Sequence, residues 1–232
     1  MYLLTETASP FALERWAAFF ANFGQFAKGF FYTLGISIGA LIVALLLGLI
    51  FGAMSSTHNK VLRGFSRVYV EIFQNTPLLV QFVVVFYGIS ILTDGHVMIP
   101  ISLTAILCVG VYTGAYISEI IRTGIEAVPK GQTEAALSQG FTYADTMRII
   151  ILPQAVRTIL PPLTNQVVNL IKNTSTVAII SGADIMFTAK AWAYDTTNYV
   201  PAFAGAAFLY FIMCFPLATW ARRKEEENKK AY

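Results

Sequence analysis

The chain has 232 residues, 56% of them hydrophobic and only 12% charged, with a mean hydropathy of +0.62. Soluble domains carry about a quarter charged residues, so this composition excludes an ordinary soluble enzyme and fits a chain with several membrane spans. A net charge of +3 is too small for a nucleic-acid binder, and Cys108 and Cys214, each inside an apolar run, read as small buried thiols.

The segment from Met1 to Ala27 has no basic start followed by a short apolar core, so no cleavable signal is expected. Glu6, Pro10, Glu14 and Arg15 precede the aromatics Trp16, Phe19, Phe20, Phe23 and Phe26, a pattern of segments lying at a membrane surface. Residues 1–28 are therefore expected to be interfacial. Gly29 to Thr57 carries no charge and is long enough to cross a bilayer. Gly35 and Gly39, and Gly48 and Gly52, are spaced to let helix backbones approach.

Lys60, Arg63 and Arg67 interleave with Val61, Leu62, Phe65, Val68 and Ile72 at helical spacing, predicting a short amphipathic helix on the basic side. Asn75 or Thr76 is expected to cap a second span that starts at Pro77 and ends near Leu92; the alternative is one kinked span from Val68 to Leu92. A third span runs from about Pro100 to Ile121, with Glu119 near its end. Residues 126–146 then form a polar segment. Pro129 is placed to start a helix in it, and Gly140 to end that helix.

A fourth span is expected near Ile149, and it contains Pro153, Pro161 and Pro162. Pro162, Gln166, Asn169, Asn173 and Thr176 recur at spacings of four and three, so they share a face. Amides are costly in lipid without partners, so the face is either interhelical glue or a polar pathway. Lys172 lies on a neighbouring face, where it pairs with Glu119, snorkels, or attracts a carboxylate. A polar loop is expected from Asp184 to Tyr199, then a fifth span over about Pro201–Trp220 and a solvated tail, 222–232.

Lys60, Arg63, Arg67, Arg122, Lys130 and Arg148 lie in alternate connections on the side of the basic tail, whereas the opposite loops hold only Lys190. Positive-inside reasoning puts the polar segment and the C-terminus in the cytoplasm and the N-terminus outside, which five spans satisfy. The sequence has no phosphate loop, His58 and His96 have no neighbour at metal-ligand spacing, and no nucleophile triad has a local signature. No catalytic or metal-binding residue is expected.

The polar segment reads Glu134, Ala135, Ala136, then Gly140, Ile150, Leu152 and Pro153, at spacings that resemble the EAA motif of ABC importer permeases. Residues 74–81, 114–122, 160–162 and 172–175 extend the resemblance to the polar amino acid branch, of histidine, glutamine, arginine and glutamate type. It implies an all-α, polytopic domain spanning 1–232, with five transmembrane helices and a cytoplasmic coupling helix, of the type I importer kind. The coupling residues would be Glu134, Ala135, Ala136 and Gly140, with Glu134 either pairing with a basic residue of the ATPase or capping its own segment. Substrate would meet Gln166, Asn169, Asn173 and Ser175.

Relatives that carry basic amino acids tend to have acidic residues at positions matching Gln166 and Asn173. The amides here imply a neutral or acidic substrate such as glutamine, glutamate or aspartate. Gln74 departs from the family's common arginine. The resemblance implies no cofactor in this chain, with ATP and magnesium on a separate cytoplasmic ATPase. It also implies a second permease subunit, an extracellular or periplasmic binding protein touching residues 93–97 and 184–199, and a place in the bacterial inner membrane. An ion-coupled secondary transporter and a non-transporting scaffold are the alternatives; inverted repeats, the mark of the first, are not evident.

Overall fold

The computed structural model describes residues 9 and 11–230, and every regular element among them is helical. The rest of the expected interfacial segment, including Glu6 and Pro10, and the last two residues of the tail lie outside the described residues. α1 (Leu13–Ala21) leads directly into α2 (Phe23–Ser55). α3 (Lys60–Gln74) is capped by Asn59, whose side-chain oxygen accepts from the backbone N–H groups of Val61 and Leu62. α4 (Leu78–Val83), a π-helical turn (Val84–Gly88) and α5 (Ile89–Leu92) follow as one rod, bent 97° from α3. The break falls at Asn75–Pro77, between the amphipathic helix and the rod.

The bend is held from within. Gln81 donates from Nε2 to the carbonyl of Thr76 at 3.2 Å, to its hydroxyl at 2.8 Å and to the Phe73 carbonyl at 3.3 Å. Asn75 and Thr76 do not cap the second span: their side chains turn back to the Glu71 and Ile72 carbonyls and finish α3. Leu78 begins the new helix behind Pro77, which has no N–H to leave unsatisfied.

α6 (Ile101–Glu126) is the centre of the bundle and packs along α2. Three of the expected small-residue contacts are made: Gly39 lies against Ile106, Gly48 against Ile117 and Gly52 against Ile121. α6 reciprocates, with Gly110 against Val43 and Gly114 against Leu47. Gly35 has nothing beside it, so it takes no part. This close approach lets dispersion and backbone contacts replace a hydrophobic driving force that lipid cannot supply.

α7 (Lys130–Ser138) and α8 (Tyr143–Asp145) follow, then a second π-helical segment (Thr146–Ile151) and α9 (Leu152–Asn173). The helix leading into the fourth crossing thus starts at Tyr143, not near Ile149, because Thr142 caps it by accepting from the Asp145 N–H. Among the described residues three helices, α2, α6 and the 199–224 part of α11, are long and apolar enough to cross a membrane, and the bent pair makes a fourth when it is counted as one span. α9, rich in proline and amides, is not apolar enough to join that set; it packs between α6 and α11, where protein surrounds much of it.

The expected polar loop is mostly helix. After α9 the chain tightens into a 3₁₀ segment (Thr174–Ile180), turns through Ser181 at φ 60°, and enters α10 (Ile185–Thr196). Asp184 caps α10, accepting from the Met186 and Phe187 N–H groups. α11 (Tyr199–Lys230) then runs through the fifth crossing and carries the tail as a helix. The N-terminal aromatics also depart from a simple surface role. Phe19 and Phe26 are buried against Trp192 of α10, with ring centroids 6.0 and 5.7 Å away. Arg15 ties α1 to the α10–α11 turn through the Thr197 carbonyl at 2.8 Å.

Candidate functional site

α7 stands between the end of α6 and the start of the helix that becomes α9. Pro129 precedes it, and the Gln132 N–H closes the first turn on the Pro129 carbonyl. At its other end the Gly140 N–H reaches the Leu137 carbonyl and the Phe141 N–H reaches the Ala136 carbonyl, each at 3.0–3.1 Å. That pair of bonds is a Schellman ending, which needs a left-handed residue at Gly140, where φ is +86°. Nothing lies within 4 Å of where a Gly140 β-carbon would stand, so the requirement is of the backbone alone.

The four residues expected to couple divide. Ala136 is buried and seats α7 on the π-helical segment, whereas Glu134, Ala135 and Gly140 are exposed. Glu134 does not cap its own helix: Pro129 occupies the cap without a side-chain bond, and among the described residues no cation pairs with the Glu134 carboxylate. Beside α7 a groove of about 590 Å³ is lined by His58, Glu126, Lys130, Thr133, Glu134 and Tyr143, among others.

The amide face of α9 is also divided. Gln166 is buried, Asn173 is half-buried and Asn169 is exposed. Ser175 lies past the change to 3₁₀ winding, and its hydroxyl donates to the Lys172 carbonyl at 2.8 Å. Ser175 therefore leaves the amide face and, with Lys172, Met186, Phe203 and Tyr210, lines a separate cavity of about 310 Å³. Pairing of Lys172 with Glu119 does not occur. Glu119 is held by Arg122, one turn away on the same helix, which also donates to Glu126 at 2.5 Å. Gln74 spends its amide on the Ala115 carbonyl, at 3.2 Å.

Asp184 was not singled out from the sequence, yet it is wholly buried where α2, α10 and α11 meet. Besides capping α10 it accepts from the Tyr210 hydroxyl at 3.1 Å, and the Ile185 N–H reaches Thr33 of α2 at 3.1 Å. An aspartate just ahead of an apolar helical run was the available signal. Asp184 and most of α10 are packed inward, so the exposed residues of the 184–199 stretch are Lys190 and those of the Tyr194–Tyr199 end; the turn around Asp94 is exposed as well.

Residues 44–225 match the family described as "Binding-protein-dependent transport system inner membrane component". The probable glutamine ABC transporter permease protein GlnM of Bacillus subtilis (strain 168) is 37% identical over 216 residues, 92% of this chain and 97% of the relative. The glutamate/aspartate import permease protein GltJ of Escherichia coli (strain K12) is 33% identical over 208 residues, 82% of this chain and 85% of the relative. A crystal structure of an amino acid ABC transporter with histidines superposes with a TM-score of 0.84 at 31% identity, covering 91% of this chain and 98% of that one. The inward-facing MetNI methionine ABC transporter shares the fold at 17% identity, with a TM-score of 0.68 over 88% of this chain and 98% of that one.

Proposed function

The chain belongs to the inner membrane components of binding-protein-dependent transport systems, and from that membership we propose how it works. It is the permease subunit of an ABC importer for polar amino acids, and it is not an enzyme. Its substrate is a neutral or acidic amino acid of the glutamine, glutamate or aspartate kind. The relatives named for those substrates support this reading, as does an α9 face that offers amides and no carboxylate. A cationic side chain would find no counter-charge there.

The observation that carries the coupling role is the exposure of Glu134, Ala135 and Gly140 on a short capped helix fixed between two crossing helices. In this reading a cytoplasmic ATPase subunit, which binds ATP and magnesium, receives α7 in a groove. A second permease subunit completes the pathway. A binding protein delivers substrate on the opposite side, at the turn around Asp94 and the Tyr194–Tyr199 end of α10. The C-terminus shares the ATPase side, and the N-terminus lies outside, in a bacterial inner membrane.

Movement of α7 is transmitted covalently. Its buried Ala136 rests on the π-helical segment, which continues into α9 and so into the amide face. The test is reconstitution with the co-purifying ATPase and the binding protein, followed by an uptake screen of the common amino acids. ATP-dependent uptake of glutamine, glutamate or aspartate ahead of lysine, arginine and ornithine is expected. Uptake that needs no ATP, or a preference for basic amino acids, would overturn it.

A further inference from the structure

A cleft of about 660 Å³ lies between α3 and the last turns of α6, away from the amide face. Its walls carry Lys60, Arg63 and Arg67 from α3 and Arg122 from α6. Its carboxylates are already engaged. Glu119 and Glu126 both hold Arg122, and Glu71 lies 3.7 Å from Arg67. Among the described residues Lys60 and Arg63 have no carboxylate within ion-pair distance, so the cleft has two uncompensated cations.

Its depth in the bilayer follows from the helices that bound it. Ser55 ends α2 and Glu126 ends α6, so the cleft opens where two crossing helices leave the apolar layer. The same helix α3 turns an apolar strip outward: Val61 and Phe65 are each 65% exposed, Val68 58% and Ile72 52%. Gly64 lies between strip and cleft with nothing within 4 Å of its missing β-carbon. One helix thus offers two cations, an open saddle and an apolar strip, in that order around its circumference.

We infer that this cleft seats the headgroup of an anionic phospholipid from the leaflet on the α7 side, with Lys60 and Arg63 on the phosphate and an acyl chain laid over Gly64 onto the Val61–Phe65–Val68 strip. A free anion has no use for the strip, and a zwitterionic lipid gains little from two unpaired cations. Basic residues at the membrane surface draw anionic headgroups in this way. Arg122 and Glu126 form the floor, and Glu126 also borders the groove beside α7. A bound headgroup therefore lies one side chain away from the coupling region.

The test uses the full-length chain with its partner subunits in nanodiscs of phosphatidylcholine containing a minor fraction of phosphatidylglycerol. Lipid retained through detergent exchange is measured for the natural protein, for Lys60→Gln/Arg63→Gln, and for Arg223→Gln, a basic residue on the same side outside the cleft. Phosphatidylglycerol should be enriched over phosphatidylcholine in the natural protein and in the Arg223 variant. In the double variant the enrichment should fall about ten-fold or more, given the attraction contributed by each basic residue. Equal thermal stability of the three proteins keeps the comparison free of misfolding.

Equal enrichment in the natural and double-variant proteins overturns the inference. Displacement of the lipid by inorganic phosphate or glycerophosphoglycerol at matching concentration also overturns it, in favour of a free-anion site. A rise in retained phosphatidylglycerol when the ATPase subunit is stripped away would assign the cleft to that partner instead.

Discussion

Gly124 of α6 lies so close to Ile159 of α9 that a β-carbon at residue 124 would overlap the Ile159 Cγ1. This contact joins the helix that enters α7 to the helix that follows it, two turns before α7 on the α6 side and further along on the α9 side. A shift of α6 here is felt directly by α9.

Gly124→Val should break that joint. Overpacking at a backbone-limited contact costs about 1–3 kcal/mol, and the purified protein should melt several degrees lower. Gly131→Ala is the control: nothing lies within 4 Å of that position, and alanine favours the first turn of α7. An unchanged melting temperature for Gly124→Val would show that Ile159 simply moves aside.

Gly140→Val places a β-branched residue at φ +86° with no steric neighbour, so its effect is pure backbone strain of about 1–3 kcal/mol. Release of that strain unwinds the Schellman ending and tilts α7. The variant, like Glu134→Lys, should remain in the membrane but lose uptake while ATP hydrolysis continues. Gly140→Asn, which tolerates the left-handed region, should keep most of the transport. Normal uptake by both Gly140→Val and Glu134→Lys would remove α7 from the coupling path.

Substrate choice should respond unequally to the two amides. Asn173→Asp puts a carboxylate at a half-buried position and should raise uptake of lysine or arginine relative to glutamine. Gln166→Glu buries a charge, which costs several kcal/mol unless it is paired or protonated. It should lower protein yield before it changes selectivity. Competition assays with radiolabelled amino acids measure the first effect, and yield after solubilisation the second; unaltered selectivity in Asn173→Asp argues against the α9 face as the pathway.

Asp184→Ala removes a helix cap and an acceptor of the buried Tyr210 hydroxyl at once. Loss of a cap costs about 0.5–2 kcal/mol; the Tyr210 hydroxyl keeps the Thr33 and Thr174 side chains as partners. Asp184→Asn keeps an oxygen for the cap and should lose roughly half as much. Equal thermal stability of Asp184→Ala and the natural protein would mean that the junction is held by packing of Trp192, Phe19 and Phe26 alone.

What could be read from sequence was what is locally encoded. Pro129 and Gly140 act on their own backbone neighbours, so α7 was legible to within a residue or two. α2, α6 and the apolar part of α11 followed from long apolar runs. α10 was missed because Ile185–Thr196 mixes alanine, aromatic and polar residues without a clean period, its burial being set by α2 and α11. The amide face was legible as a face, but which amide is buried depends on α6 and α11 alongside. Nothing in the residues of Val84–Gly88 or Thr146–Ile151 announces π winding.

Those two π segments have a consequence for descent. Each accommodates surplus chain inside an otherwise α-helical rod, and each precedes a stretch whose azimuth matters. Excision of a single residue from Thr146–Ile151 would restore α winding and leave the azimuth of everything downstream unchanged. The same excision within Leu152–Asn173 would turn the rest of the helix by about 100° and carry Gln166 out of its buried position. Gain or loss of one codon is thus absorbed in the π segment and disruptive a few residues later.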